Sequence, residues 1–418
     1  LKLTYRNIIH NVIALLSGTT ISQILKMITI LLIARQLGVR LYGLYASSLA
    51  MLTASSILFN LGLDTWLLRE GGRKEEILGP LFGAVLTIKS ILGLGWFVVT
   101  AILFAQLNWA TFPLKLVCLT AIAVWLDSIL LTSSTAFRAS LKNYMASVPT
   151  VINAVSLLLV TFMLIIQNNV NVVWYMLVRV IVASLSATLA LILVWRANRF
   201  NVQYSLIQQA LKESPAFAWS DFLAWMGTRL DVVITAFMLG EYEVGLYSPA
   251  VGIVSALFFV PAAAYNVLVP VLSNLFAKNL PQAYSMAKRT ILILSAIGLS
   301  LNIMLAMGSP LLVKLLGTSY APTQNLLPIL SLILTFKGVS FGMAAILVAV
   351  GWQKQRTVVQ AVAVLMNFSL NLIAIRSFGI TGAAIIYVIT ESVLMLGYSW
   401  QTWQYYISVQ NKIGESTL

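Results

Sequence analysis

Nine ionisable residues fall inside stretches that are otherwise apolar: Lys26, Lys89, Asp127, Arg179, Asp221, Arg229, Asp231, Lys337 and Glu391. A charge at the centre of a membrane helix costs about 2.5–3.5 kcal/mol on insertion scales, so such residues pair, snorkel to an interface or face water. Pairing or snorkelling accounts for any one of them. For a set scattered over so many segments, a hydrated cavity is the simpler explanation. Lysine and arginine in such a cavity suit an anion, phosphate or pyrophosphate above all, because an ammonium is a point charge and a guanidinium grips two oxygens. Lys26 and Arg229 are the first candidates for that role, with Lys89, Arg179 and Lys337 contributing field. The acids Asp221, Asp231, Asp127 and Glu391 could each bind Na+ or a proton, or could simply neutralise the bases. A sugar would ask for aromatic platforms, and Trp219, Trp225 and Tyr265 are the candidates, although interface belts and helix packing collect the same residue types.

These charges have to be held by helices in a bilayer. The chain has 418 residues, 60% of them hydrophobic and 9% charged, whereas soluble domains carry about 25% charged residues. One cysteine, Cys118, and one histidine, His10, exclude a disulfide framework, a Cys/His zinc site and a His-dependent triad, so no metal, cofactor or catalytic group is expected. Apolar windows of about 20 residues per crossing fall near 8–34, 41–63, 79–105, 111–137, 145–166, 171–196, 214–239, 244–272, 290–308, 323–350, 357–376 and 379–404. That is an all-α, polytopic membrane protein of about twelve transmembrane helices. No space is left for an enzyme with its active site in an aqueous domain.

The formal charge of +14 has a topological explanation and needs no nucleic acid. Outside the spans, sixteen Lys and Arg, Lys2 and Lys74 among them, fall on the side of the N-terminus, against Arg35, Arg40, Lys115, Lys314 and Arg376 on the other. The positive-inside rule then makes both termini cytoplasmic. The first apolar stretch is too long for a signal peptide and lacks a small-residue cleavage site, so it reads as a retained helix.

An internal repeat divides the chain. Leu37-Gly38-Val39-Arg40-Leu41-Tyr42-Gly43-Leu44-Tyr45 matches Leu239-Gly240-Glu241-Tyr242-Glu243-Val244-Gly245-Leu246-Tyr247 at five of nine positions, 202 residues on. The match falls where two six-helix halves would place equivalent connections, predicting parallel lobes, 1–200 and 201–418, around a central cavity. Lys26 lies twelve residues before Gly38 and Arg229 eleven before Gly240, which puts one cation in each half at nearly equal depth. Asp64 and Asn266 form a second polar pair at the same offset, with Asp64 close to the membrane boundary. At about 100° per residue, Arg229 and Asp231 cannot both point into a lumen, so one of them contacts a neighbouring helix. The connection 197–213 has apolar residues at helical spacing and is expected to lie flat on the membrane. Ser214 reads as an N-cap with Pro215 in the first turn of crossing seven, and 273–289 is expected to be a second connector.

Ile33-Ala34-Arg35-Gln36-Leu37-Gly38 through Tyr42-Gly43-Leu44-Tyr45-Ala46 resembles the helix one to two signature of polysaccharide flippases. These form the oligosaccharide branch of the multidrug/oligosaccharidyl-lipid/polysaccharide exporter superfamily. Arg229-Leu230-Asp231 leading to Gly240 and Val244-Gly245-Leu246-Tyr247 is similar to that family's helix seven to eight passage. Leu316-Gly317-Thr318-Ser319-Tyr320-Ala321-Pro322 and Asn371-Leu372 through Gly379-Ile380-Thr381-Gly382-Ala383-Ala384 look like its later landmarks. The resemblance implies two lobes that open alternately to either side. It implies a lipid-linked oligosaccharide carried on undecaprenyl pyrophosphate, a cationic lumen for the pyrophosphate, and work beside polysaccharide assembly proteins and membrane lipids. Bacterial or archaeal cytoplasmic membrane is the implied location. A drug or metabolite antiporter of the same superfamily is the nearest rival, and five bases against four acids within the spans argue mildly against a cationic-drug exporter. Arg69-Glu70-Gly71-Gly72-Arg73-Lys74 is off register for the loop motif of major-facilitator carriers and lacks its Asp. A membrane polysaccharide polymerase would carry a larger external loop than roughly 308–322.

Overall fold

The computed structural model describes residues 5–73, 75–107, 112–199 and 201–416, so Lys2 and Lys74 lie outside the described residues. Side chains of 5–17 and of Asn266 are also outside the description. The described residues are almost wholly helical and contain no strand. Among the described residues, seven ranges are long and apolar enough to cross a bilayer, and the last of them, Gln353–Val409, bends at Gly379 into two segments. With the helix Tyr5–Ser55 likewise bent at Gly38, twelve long segments follow one another. These are 5–37, 39–73, Leu78–Leu107, Leu114–Ala139, Asn143–Ile166, Val172–Asn198, Pro215–Met238, 241–278, Leu280–Leu316, Ala321–Ala349, 353–378 and 380–416, termed crossings one to twelve.

Glycine sets where several of them end. Gly38 has φ 71° and Gly240 φ 89°, a left-handed conformation open to glycine and strained for other residues. The two are equivalent in the repeat, so each half turns its first crossing into its second on a glycine. Crossing two runs ten residues past the expected 41–63. Leu61 and Gly62 are left-handed there, and the helix resumes over Leu63–Arg73.

Of the expected connector 197–213, Tyr204–Glu213 is helical, with Leu206 and Ala210 buried and Tyr204 and Leu211 exposed. Pro215 is the first residue of crossing seven. Ser214 does not cap it through its hydroxyl, which makes no hydrogen bond; its carbonyl accepts from Phe217 N at 2.8 Å. The expected connector at 273–289 does not exist. Crossing eight continues to Lys278, and the single residue Asn279 interrupts the helix at φ −152°, its side chain accepting from Gln282 N at 3.1 Å. Capping by Asn279, with Pro281 in the first turn, starts crossing nine ten residues early.

The chain forms two compact units, one of Leu1–Ala236 with Gly240–Ser248, the other of Phe237–Leu239 with Pro249–Leu418. In the first unit a core of Leu63, Trp66, Leu67, Phe82 and Phe137 joins crossings two, three and four to the connector's Leu206 and Ala210. In the second, Leu268, Leu272, Leu294, Ala345 and Ile346 join crossings eight, nine and ten. Crossings nine and ten make close backbone contact where Gly298 meets the Leu334 carbonyl oxygen and Gly338 meets the Leu294 carbonyl oxygen; a Cβ at either glycine would stand 2.4 Å away. Small residues allow this backbone contact between membrane helices.

Candidate functional site

The candidate cations separate into distinct groups, each fixed by the helices that carry it. Lys26, on crossing one, has an exposed side chain and feels the charges of Asp127 on crossing four and Arg179 on crossing six. Arg179 donates from Nη2 to Asp127 Oδ2 at 2.7 Å, and both side chains remain partly open. Crossings four and six pack closely along their length, which holds that pair in place beside Lys26. The group carries two positive charges and one negative. The charges of Asp127 and Arg179 reach Lys26 from two other crossings.

Lys89, on crossing three, is fully buried. Its ammonium donates to Asp64 Oδ2 at 2.7 Å, Thr132 Oγ1 at 2.9 Å and Ser128 Oγ at 3.0 Å, which uses all three protons. Thr132 donates in turn to Asp64 Oδ1 at 2.7 Å, and Ser128 to Asn60 Oδ1 at 2.7 Å. Ser128 and Thr132 are four apart and so share one face of crossing four. Asp221, half-buried on crossing seven, accepts from Thr65 Oγ1 at 3.1 Å and feels both Lys89 and Asp64. Lys89 neutralises Asp64, and the helical segment continues through Leu63–Arg73.

Arg229 and Asp231 diverge, as helix geometry requires. Asp231 is buried and accepts a hydrogen bond from the Tyr247 hydroxyl of crossing eight, while the Arg229 side chain is exposed. In the second unit Lys337 pairs with the buried Glu391 at 2.7 Å, with its ammonium 5.2 Å from the Phe258 ring centroid and 5.9 Å from that of Phe341. Beside Glu391, Thr390 accepts from Asn367 Nδ2 at 2.8 Å, and Asn371 donates to Asn367 Oδ1 at 3.0 Å.

The aromatic candidates divide similarly. Trp219 is exposed and packs on Phe222 at 5.7 Å between centroids, and Trp225 is half-buried on the same helix. Tyr265 belongs to the second unit, where its hydroxyl accepts from Arg356 Nη1 at 2.8 Å. Among the described residues no group of three His, Cys, Asp or Glu is placed to hold a metal.

Sequence reasoning missed Asn60, Thr65, Ser128, Thr132 and Tyr247 as partners of the charges. Their signal was present in the i, i+4 spacing of Ser128 and Thr132 in an apolar helix, and in Tyr247 closing the repeat. The pairing itself depends on helices brought together by packing. Chemically, the first unit offers an exposed Lys26 beside partly open Arg179 and Asp127, a separate exposed Arg229 near Asp231, and a self-satisfied network around Lys89. Such a set can bind an anion.

The family described as polysaccharide biosynthesis protein matches residues 8–276. Among solved structures, the chain is similar to an inward-facing multidrug resistance MATE family transporter of the MOP superfamily, with a TM-score of 0.74 and 14% identity, covering 96% of this chain and 99% of that one. It is also similar to the lipid II flippase MurJ in an inward closed conformation, with a TM-score of 0.67 and 16% identity over 93% of this chain and 87% of that one. A MOP superfamily transporter from Pyrococcus furiosus, whose binding pocket is described as reversed in polarity, aligns with a TM-score of 0.61 and 13% identity over 93% and 94%. A comparison with curated proteins gave no match.

Proposed function

Because this chain belongs to the polysaccharide biosynthesis protein family, we propose that it is a flippase. Its substrate is an oligosaccharide linked to undecaprenyl pyrophosphate, carried from the cytoplasmic to the periplasmic leaflet by alternating access of the repeat halves, 1–200 and 201–418. The orientation follows from the excess of Lys and Arg on the side of the N-terminus. Lys26 carries the reading. Its side chain is exposed inside an apolar crossing, and the one carboxylate it feels, Asp127, already pairs with Arg179. A positive charge left over in a membrane span favours a substrate that brings negative charge with it, and pyrophosphate does so.

In this scheme Lys26 and Arg229 bind the pyrophosphate, and Arg179 adds field from beside Lys26. Lys89 and Lys337 act at a distance through the acids they neutralise. Trp219 and Trp225 supply glycan contacts from crossing seven, with Tyr265 serving the second unit.

Charge reversal tests the assignment in cells that depend on this chain for glycan export, and in vesicles loaded with the lipid-linked substrate. Lys26→Glu and Arg229→Glu should each lower translocation by at least about ten-fold, the loss of one charge-assisted contact, while Lys26→Arg retains most of it. Normal accumulation of Lys26→Glu together with full export would overturn the role of Lys26.

A further inference from the structure

A cavity of about 380 Å³ lies where crossing two ends, away from the groups described above. Arg69, Glu70 and Arg73 line it from the last turns of crossing two, Gln209, Lys212 and Glu213 from the connector helix, and Ala216 and Phe217 from the start of crossing seven. Three cations face two acids here, and both acids are committed internally. Glu213 accepts from Trp66 Nε1 at 2.9 Å on one oxygen and from Gln209 Nε2 at 3.0 Å on the other. Glu70 is buried, with Arg69 Nε at 3.5 Å and Arg73 Nη1 at 3.4 Å from its Oε1. The side chains of Arg69 and Arg73 are nevertheless 45% and 60% exposed, and Lys212 is exposed as well.

Each guanidinium spends one nitrogen on Glu70 and turns others outward, so the cavity presents N–H donors and a net positive charge. A tetrahedral phosphate oxyanion matches that set. Phe217 backs it, with the Arg69 guanidinium 5.6 Å from the ring centroid.

The surroundings identify what brings the phosphate. Val202, Tyr204 and Leu211 of the connector region and Leu68 of crossing two are all exposed. A helix that packs Leu206 and Ala210 on the protein core and still leaves Tyr204 and Leu211 exposed suits the headgroup layer, and a basic pocket at that depth meets the phosphates of the lipids themselves. We propose that this cavity binds the phosphate headgroup of an anionic glycerophospholipid, holding the connector between the two halves to the membrane surface.

The test uses the purified full-length protein in nanodiscs of phosphatidylcholine doped with phosphatidylglycerol, with retained lipid measured by native mass spectrometry. Arms with inorganic phosphate and pyrophosphate as competitors separate a lipid site from a soluble-anion site. Lys212→Gln is the safer variant, because Lys212 is exposed and Glu70 keeps both its arginines; Arg69→Gln leaves Glu70 with Arg73. At about five-fold per cation near a membrane surface, each variant should lose about five-fold of the preference for phosphatidylglycerol and the double variant about thirty-fold. An unchanged preference in the double variant overturns the proposal. So does equal retention of phosphatidylcholine by the wild type, or displacement of phosphatidylglycerol by free phosphate or pyrophosphate. Because translocation is not the readout, failure here is distinguishable from failure of the transport reading.

Discussion

Gly43 rests its α-carbon on the carbonyl oxygen of Glu241: a Cβ at Gly43 would stand 1.7 Å from that atom. Its repeat equivalent does the same in return, since a Cβ on Gly245 would stand 2.0 Å from the carbonyl oxygen of Val39. Gly43 and Gly245 are 202 apart, as are Val39 and Glu241, so the two matched segments pack against each other reciprocally. That explains why the similarity concentrates here: one segment's glycine is required by the other's backbone. Arg40 adds an ion pair to Glu241 at 3.1 Å, but it is largely exposed and contributes little.

Gly43→Ala should therefore destabilise the protein by about 3 kcal/mol, the upper range for overpacking, because the clashing atom is backbone and cannot swing aside. Gly72→Ala is the control. Its Cβ would meet nothing nearer than the Ala139 carbonyl oxygen at 4.0 Å, and alanine raises helix propensity by about 1 kcal/mol. Thermal unfolding in detergent should show a lowered midpoint for the first and an unchanged or raised one for the second. Equal midpoints would remove the reciprocal packing from the account of the fold.

The Lys89 network makes a different prediction. Asp64→Leu leaves a fully buried ammonium with only the Ser128 and Thr132 hydroxyls, and breaking a buried pair in this way costs about 3–5 kcal/mol. The double variant Asp64→Leu/Lys89→Met removes both charges and should recover most of that loss. Unfolding midpoints in a double-mutant cycle check it, and independent, additive effects would show that the pair is not coupled.

The legible part of the fold follows from local rules. Apolar length located the twelve segments, and the glycines of the repeat located the turns at Gly38 and Gly240. Two boundaries escaped for reasons that local sequence does not carry. Crossing two passes through Asp64 because its counter-ion, Lys89, arrives 25 residues later on another helix. The stretch 273–289 looked like a surface connector because of its polar residues, yet one capping asparagine joins two long helices there. At the site, residue types located the charges but not their company. Lys26 and Lys89 are both lysines in apolar helices; packing exposes the first and buries the second in a complete set of partners.

Topology can be checked on two exposed positions. In a Cys118→Ser background, Tyr242→Cys, beside the Gly240 turn, should be labelled by an impermeant thiol reagent in intact cells. Arg199→Cys, at the end of crossing six, should be labelled only after permeabilisation. The reverse pattern would invert the orientation drawn from the charge distribution.

As candidates for ion coupling, Asp221 and Asp231 are separated by their surroundings. Asp231 is buried against the Tyr247 hydroxyl. An asparagine there retains an oxygen that can accept the same hydrogen bond, so Asp231→Asn should keep fold and transport if the acid serves only to position crossing eight. Asp221 is half-buried, accepts from Thr65, and lies within the field of both Lys89 and Asp64. Gaining or losing a cation at Asp221 would therefore shift the balance of a network that spans crossings two, three, four and seven. Asp221→Asn should change the dependence of transport on Na+ or pH gradients in reconstituted vesicles, while Asp231→Asn leaves it as in the wild type. Should Asp221→Asn transport with unaltered dependence on both gradients, the carboxylate is a structural neighbour of Lys89 and coupling must lie elsewhere, with Glu391 beside Lys337 the next acid to replace.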